Sequence, residues 1–240
     1  MNKMGLTLIY LWLVSLCSCQ QELIEYEKGD VKVCIEQGEQ WLHDFPLFLG
    51  INKKNPPQIA VWLEDTQGNY LSTVYVTHKI ATQSWQASGG NRRKEALPHW
   101  CYSRGVKYDD GLYLPTKKEP LIDGISGATP HESFDIKLNP ATALKKFVVK
   151  IEINHSTDFN EAFPKSAKDE EANYSGGKEG SGQPAIVYAA NVDLSSGEKS
   201  FEANLMGHSS PDGSSGEVNK DTSGLTTALH IVKRITVIIQ

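Results

Sequence analysis

Residues 59–76 read IAVWLEDTQGNYLSTVYV, and this stretch decides the fold. Its two ends, residues 59–63 and 70–76, are rich in β-branched and aromatic residues, and the polar residues 65–69 lie between them. Gly68 and Asn69 supply the positive φ angles that tight turns between antiparallel strands require. The stretch therefore predicts a β-hairpin.

Alternation of apolar and polar residues predicts further strands on both sides of this hairpin. They lie at residues 31–36, 133–138, 146–154, 185–192 and 230–239. In residues 146–154 every second side chain is apolar, which is typical of a strand with one buried and one solvent-facing side. Many short strands joined by polar loops predict a mainly β fold, an antiparallel immunoglobulin-like β-sandwich with long loops and little helix.

Helix and long loops occupy the remaining segments. A short helix is predicted through the basic residues 92–94, ending before Pro98, because the residue before a proline disfavours helical geometry. Residues 160–183 are dominated by Lys, Glu, Ser and Gly, and residues 207–226 by Ser, Gly and Asp. Both segments are predicted to be exposed or mobile loops.

The N-terminal residues have the pattern of an export signal. Lys3 precedes an apolar stretch, residues 6–16, which is too short for a comfortable membrane span. Leu16 and Ser18 before Cys19 resemble a bacterial lipobox, which implies cleavage before Cys19 and lipidation of that residue. The chain then divides into a signal peptide (1–18), a lipidated tether (19–30) and a single β-sandwich domain (31–240). The alternative is an ordinary secretory cleavage site nearby.

Charge and cysteine content fit an exported domain. The 29 acidic and 24 basic residues give a formal net charge of −5, which argues against a nucleic-acid partner. Of the four cysteines, Cys17 leaves with the signal peptide, Cys19 takes the lipid, and Cys34 and Cys101 stay in the domain. In an oxidising compartment these two either pair as a disulfide or remain buried free thiols, and their spacing does not decide between the two.

Residues 123–129 read DGISGAT, a run of small residues with a hydroxyl six positions after a carboxylate. The run resembles the acceptor sequence that bacterial flavin transferases modify outside the cytoplasm, and the SGAT motif of covalent FMN-binding domains. The resemblance implies FMN esterified to Thr129, with Asp123, Ser126, Gly127 and Ala128 completing the site. The alternative is a structural turn, because Asp-Gly and Ser-Gly pairs are common turn formers.

Several stretches in the same order resemble domain-of-unknown-function family 2271, a family of predicted periplasmic proteins. They are residues 59–65, 92–93 with 97–100, 123–129, 207–208 and 225–228. The resemblance implies a secreted sandwich domain found beside flavin-transfer machinery, hence a flavin transferase and redox proteins as partners. Gln20 after Cys19 favours the outer membrane. The alternative function is a non-enzymatic binding or assembly module of the cell envelope.

Other residues offer weaker chemistry. Trp100, Tyr102, Tyr108 and Tyr113 could form an aromatic surface for the flavin, or they are core residues. His131 could donate to the FMN phosphate, or it is a solvated loop residue.

Metal and anion sites are the remaining candidates. No two histidines have the i, i+4 spacing of a zinc-binding helix, and there is no Cys-x-x-Cys pair. The oxygen-bearing loop with Asp212, Gly213, Glu217 and Asp221 could ligate Ca²⁺, although it lacks EF-hand spacing, and its alternative is a solvated acidic loop. The basic residues 92–94 could bind an anion or form a solvated turn.

Overall fold

The computed structural model describes residues 30–46, 52–85, 92–121, 124–140 and 144–240. The predicted signal peptide, the lipidation site Cys19 and nearly all of the tether lie outside these ranges, as does Asp123 of the predicted flavin site.

Within these ranges the fold is mainly β, as the sequence predicts. The strands are β1 (Val31–Gln37), β2 (His43–Pro46), β3 (Asn52–Asn55), β4 (Gln58–Glu64), β5 (Tyr70–Thr77), β6 (Ile125–Gly127), β7 (Phe134–Leu138), β8 (Lys146–Asn154), β9 (Ile186–Asp193), β10 (Ser200–Glu202), β11 (Asn204–Ser209), β12 (Val218–Asn219) and β13 (Val232–Ile239). The helices are α1 (His78–Thr82) and α2 (Pro98–Arg104), with 3-10 turns at Gly177–Glu179 and Thr227–His230. No helix of the described residues is long and apolar enough to cross a membrane.

The strands form two larger sheets and one small hairpin. The four-stranded sheet has the order β10-β13-β1-β7, and the seven-stranded sheet has the order β12-β11-β9-β8-β4-β5-β6. β2 and β3 form the separate hairpin. Neighbouring strands run antiparallel, except that β5 and β6 run parallel. The antiparallel prediction is confirmed, and the arrangement is consistent with an immunoglobulin-like sandwich.

One apolar cluster joins the two larger sheets. The inward side chains of β1, β7 and β13 meet those of β4, β8 and β9 in this cluster, which includes Val33, Ile136, Val61, Ile151 and Ala190. The hairpin predicted at residues 59–76 supplies β4 and β5, paired antiparallel. Because side chains alternate across a strand, the predicted periodicity follows directly from this single buried layer.

A second apolar cluster covers the opposite, outer face of the seven-stranded sheet. Ala60 and Trp62 of β4 point into it and meet Ile80 of α1 and Trp100 of α2. Buried polar groups lie under the same cover, among them Glu152 of β8, which is fully buried. The predicted alternation of burial therefore holds for the first part of β8 and is wrong at its end, where Glu152 and Asn154 are covered.

The helix predicted through residues 92–94 is also misplaced. Residues 92–97 form turns and bends, and α2 begins at Pro98 and ends at Arg104. Proline suits the first turn of a helix because the N–H that it lacks has no partner there. Pro98 therefore begins the helix that it was expected to end.

The two segments predicted to be exposed or mobile loops contain buried residues, and the second also contains strands. Phe163, Ser175 and Ser181 of the first loop are buried. The second loop contains the end of β11, where His208 is buried, and all of β12. Both segments therefore form part of the wall of the domain.

Candidate functional site

The predicted flavin acceptor lies at one edge of the seven-stranded sheet. Among the described strands β6, which includes Ser126 and Gly127, pairs only with β5 and runs parallel to it. Thr129 follows two residues after the strand and is half-buried, whereas Ser126 and Ala128 are exposed. The hydroxyl of Thr129 is therefore carried by a surface segment that leaves the end of an edge strand.

Two aromatic side chains hold the backbone on either side of Thr129. Tyr75 Oη donates a hydrogen bond of 2.7 Å to the carbonyl of Ala128. Trp41 Nε1 donates one of 3.2 Å to the carbonyl of Pro130. Since the carbonyls of both neighbouring residues, Ala128 and Pro130, are held from the core side, Thr129 has little freedom to swing away from the domain.

These anchors belong to the main core. The rings of Tyr75 and Trp41 pack on Phe134, with ring centroids 5.6 Å and 6.3 Å apart respectively. The hydroxyl of Thr129, by contrast, makes no hydrogen bond to any residue that the structure describes. The backbone around Thr129 is thus held in place, while its side-chain hydroxyl has no hydrogen-bond partner among the described residues.

Gly124 of the motif has a structural role, whereas His131, just after the motif, is exposed. A Cβ atom on Gly124 would lie 2.7 Å from the side chain of Thr73, so only glycine allows β6 to approach β5 this closely. His131, the predicted phosphate donor, is exposed two residues after Thr129.

A group of cations lies at the same end of the sheet. α1 follows β5 directly, packs against β6 and carries Lys79. Burial lowers the pKa of Lys79, and the nearby charges of Lys53 and Arg93 lower it further. Lys79 Nζ and Arg93 Cζ lie 5.7 Å and 4.8 Å from the ring centre of Trp85. Lys79 therefore places a positive charge close to β6, whereas the charge of Arg93 is paired with Glu95.

An imidazole–carboxylate pair lies near this end of the domain. His43 Nε2 lies 3.3 Å from the carbonyl of Thr157, which can only accept, so Nε2 donates. The other ring nitrogen, Nδ1, lies 3.8 Å from Oδ1 of Asp158, and that oxygen accepts a 2.6 Å hydrogen bond from Thr227. Burial raises the pKa of Asp158. The buried carboxylate of Asp158 thus faces the ring of His43 and is held by Thr227.

This pair is linked to the acceptor segment through the loop after β1. The ring of His155 lies 5.2 Å from that of His43, and its Nε2 donates to the carbonyl of Gln40 at 2.8 Å. Gln40 precedes Trp41, which holds the Thr129 segment. Burial lowers the pKa of His155 to about 4, so this ring is neutral at neutral pH. Sequence reasoning missed the cluster because its members are far apart in the chain.

The four predicted flavin-stacking residues belong instead to the α2 layer. Trp100 is fully buried, and its Nε1 donates to Thr73 Oγ1 at 3.0 Å, which identifies it as a core residue. Tyr102 and Tyr113 stack on each other with ring centroids 4.4 Å apart. Tyr108 lies under the guanidinium of Arg92. None of their ring or side-chain hydrogen-bond contacts reaches the described part of the acceptor segment.

Two residues of the basic run, Arg92 and Arg93, form ion pairs within the domain. Arg92 forms an ion pair with Asp110, and Arg93 Nε donates to Glu95 Oε1 at 2.8 Å. Arg93 is buried and also donates to Ser181 at 2.9 Å. A solvated basic turn is therefore the wrong description of Arg93, and the charges of Arg92 and Arg93 are paired within the domain.

A second buried carboxylate, that of Glu152, lies under the start of α2. Glu152 accepts the backbone N–H groups of His99 at 3.2 Å and Trp100 at 2.8 Å, at the start of α2. Burial raises its pKa to about 7. The Nδ1 of His99 donates to the carbonyl of Gly216 at 2.7 Å, which joins α2 to the second long loop.

Cys34 and Cys101 are free thiols in this structure, so the candidate disulfide is absent. Cys34 lies on β1, on the side away from the core cluster that Val33 enters, and Cys101 lies in α2 on the far side of the other sheet. Because face-to-face sheets are spaced by about 10 Å, their Cα atoms are too far apart for the roughly 4.4–6.8 Å of a disulfide. Burial raises the pKa of Cys34 to about 11 and that of Cys101 still further.

The predicted calcium ligands do not converge. The carboxylate of Asp212 accepts hydrogen bonds from Ser210 and Ser214 within its own turn. Glu217 and Asp221 instead line a cavity. Among the described residues no group of three or more His, Cys, Asp or Glu side chains could hold a metal ion.

Comparisons of the chain with protein-family models, with curated proteins and with solved structures found no match. The likeness to family 2271 therefore stays a prediction that rests on short motifs.

Proposed function

We propose that this protein is an extracytoplasmic lipoprotein, anchored through Cys19, that carries FMN on Thr129 and transfers electrons to redox partners outside the cytoplasm. The observation that supports it most is the position of Thr129, whose flanking carbonyls are fixed by Tyr75 and Trp41 while its hydroxyl makes no bond to the described residues. Such a hydroxyl can be modified without the loss of an internal contact.

The modification has a defined chemistry. Oγ1 of Thr129 attacks the flavin-side phosphorus of a flavin dinucleotide, the bond to the adenylate breaks, and the adenylate leaves. The hydroxyl proton passes to the transferase, and the product is a phosphodiester-linked flavin. The flavin supplies the redox chemistry, and the protein supplies position and electrostatics.

The phosphodiester brings one negative charge, and Lys79 is the candidate counter-ion. Thr77 of β5 is in register with Gly127 of β6, and the two parallel strands leave the sheet in the same direction. Lys79 and Thr129 are each two residues beyond that pair. A cation at this position stabilises the bound phosphate by the ordinary Coulomb attraction of partly exposed charges.

The test is the intact mass of the exported protein after co-expression with an extracytoplasmic flavin transferase. We expect a gain of one FMN less one water, lost in Thr129→Val and retained in Thr129→Ser. Thr66→Val, which removes an exposed hydroxyl from the β4–β5 turn, is the matched control and should leave the gain unchanged. An unmodified wild-type protein under these conditions contradicts the proposal.

A second candidate function is a non-enzymatic binding or assembly module of the envelope. It is favoured by the pairing of β6 with β5, which gives residues 125–127 a structural use whether or not Thr129 is modified. In that case the mass is unchanged, and Thr129→Val leaves every property of the protein intact.

A further inference from the structure

The strand directions place the attachment point of the tether and Thr129 at opposite ends of the sandwich, the tether end and the acceptor end. The tether of the proposed lipoprotein joins the domain at Asp30, directly before β1. β1 finishes at Gln37, whose backbone N–H donates to Ser133 Oγ at 2.9 Å. β7 starts beside Ser133 and runs back antiparallel to β1. The segment that leads into β7, which contains Thr129, therefore lies at the end where β1 finishes.

Loop contacts at both ends give the same arrangement. At the tether end, the carbonyl of Lys199 accepts from the backbone N–H of Ile239 at 2.9 Å, and Ile239 is in register with Val31 at the start of β1. The turn between β9 and β10, residues 194–199, therefore lies at the tether end. At the acceptor end, Trp41 follows β1 and holds the segment that contains Thr129.

The two ends are separated by more than the length of β1. At about 3.3 Å per residue the seven residues of β1 span about 20 Å, and Thr129 lies beyond the last of them. Cys19 is eleven positions before Asp30, so the tether spans about 40 Å at full extension and roughly 20 Å as a coil. Turning an anchored domain over stretches the tether beyond its coil length, which costs chain entropy. In the proposed lipoprotein the acceptor end therefore points away from the bilayer.

This orientation decides which electron acceptors can reach a flavin on Thr129. Electron transfer slows steeply with the distance between donor and acceptor, and the apolar tails of quinones confine them to the bilayer. A flavin at the acceptor end is about one strand length or more away from them. The segment around Thr129 instead lies at the surface, where Ala128 and His131 are both exposed. A protein in the aqueous phase can approach it directly.

We propose that the electron acceptor of this protein is a water-soluble redox protein that docks at the acceptor end, and not a quinone of the membrane. The inference rests on the proposed function, because it requires the anchor at Cys19 and FMN on Thr129. A fully reduced flavin gives up two electrons and two protons. With a one-electron haem protein, two ferric irons become ferrous in successive encounters, and both protons pass to water.

The first experiment measures the orientation and needs no FMN. A fluorophore is attached to His131→Cys at the acceptor end or to Glu198→Cys in the turn at the tether end, two exposed positions, in a Cys34→Ser background. The full lipidated chain is bound to vesicles whose lipid headgroups carry a nitroxide quencher. We expect strong quenching for Glu198→Cys and little for His131→Cys. Equal quenching at the two positions overturns the inference. Protein that does not float with the vesicles lacks the anchor, which contradicts the proposed function and the inference with it.

The second experiment identifies the electron acceptor. Protein with FMN, verified by intact mass, is reduced by light without oxygen on vesicles that contain ubiquinone. We expect no oxidation of the flavin by ubiquinone and rapid oxidation when ferric cytochrome c is added to the aqueous phase. The matched control is the same protein with ubiquinone in detergent micelles, where the quinone reaches every side of the domain and should oxidise the flavin. Oxidation by ubiquinone that is as fast in vesicles as in micelles overturns the inference, whereas a missing FMN mass contradicts the proposed function itself.

Discussion

The two faces of the seven-stranded sheet use the same strands in different ways. On the inner face, Val149, Ile151 and Ile153 of β8 enter a wholly apolar cluster shared with the other sheet. On the outer face, the intervening residues of β8 include Glu152, which is buried and accepts from the first amides of α2. The inner face is stabilised by buried area, and the outer face depends on buried polar groups that each need a partner.

This difference teaches where the molecule responds to solution conditions. Apolar burial does not change with pH, whereas a buried carboxylate changes stability wherever its pKa differs between folded and unfolded chains. Three substitutions, in order of decreasing expected effect, test the contrast.

Phe147→Ala on the inner face should have the largest effect. Phe147 is buried in the shared core, and truncation of such a ring removes apolar contact and leaves a cavity, at a cost of about 3–5 kcal/mol in the free energy of unfolding. Urea denaturation measures this loss. The neighbouring Val148→Ala, on the half-buried outer side of the same strand, should cost about 1 kcal/mol or less. Similar losses for both would break the comparison.

Glu152→Gln on the outer face should change the pH dependence of stability. Burial raises the pKa of Glu152 from 4.5 to about 7, so between these values the folded chain keeps a proton that the unfolded chain has lost. Stability therefore falls as pH rises through this window, by on the order of 3 kcal/mol. Glutamine has one acceptor oxygen and can accept only one of the two α2 amide hydrogen bonds, so the variant should be less stable at every pH. Because it does not ionise, it should lose this slope.

Unfolding measured across that pH window checks the Glu152 prediction. Glu202→Gln, an exposed carboxylate of β10, is the control and should keep the wild-type slope. If the free energy of unfolding of Glu152→Gln keeps the wild-type dependence on pH, that dependence comes from other groups. The proposed difference between the two faces is then wrong.

Asp135→Asn should have the smallest effect. Asp135 lies on the solvent side of the four-stranded sheet and pairs with Lys32 at 3.1 Å, with both side chains about one-fifth exposed (21% and 22%). Partly exposed pairs contribute up to about 1 kcal/mol and are weakened by salt. At low salt the variant should have a lower free energy of unfolding than the wild type. At high salt this difference should shrink, because salt screens the ion pair. A loss as large as that of Phe147→Ala would refute this ranking.

The sequence predicts the strands well because alternation is a local signal. The hairpin at residues 59–76 and the strands around residues 31–36 and 230–239 are confirmed. β6 is not predicted as a strand, since its three residues carry no periodicity. The cover over Glu152 is missed for another reason: it comes from α2, about fifty positions earlier in the chain.

Contacts around the candidate sites are missed for the same reason. Trp41 and Pro130 are 89 positions apart, and Tyr75 and Ala128 are 53 apart, so no local pattern relates them. The burial of His208 is likewise visible only in the folded chain. Local sequence patterns thus predict strands and helices. The candidate functional sites, by contrast, are formed by side chains that are far apart in the sequence.

Short strands at the borders of the sheets have a consequence for self-association. The seven-stranded sheet ends in β12 with two residues and β6 with three, and the four-stranded sheet ends on one side in β10 with three. The longer border strand, β7, carries the charged residues Asp135 and Lys137. A second copy finds few unpaired backbone groups on which to add a strand. The borders of the two larger sheets, in the part of the chain that the structure describes, therefore offer little backbone for edge-to-edge aggregation.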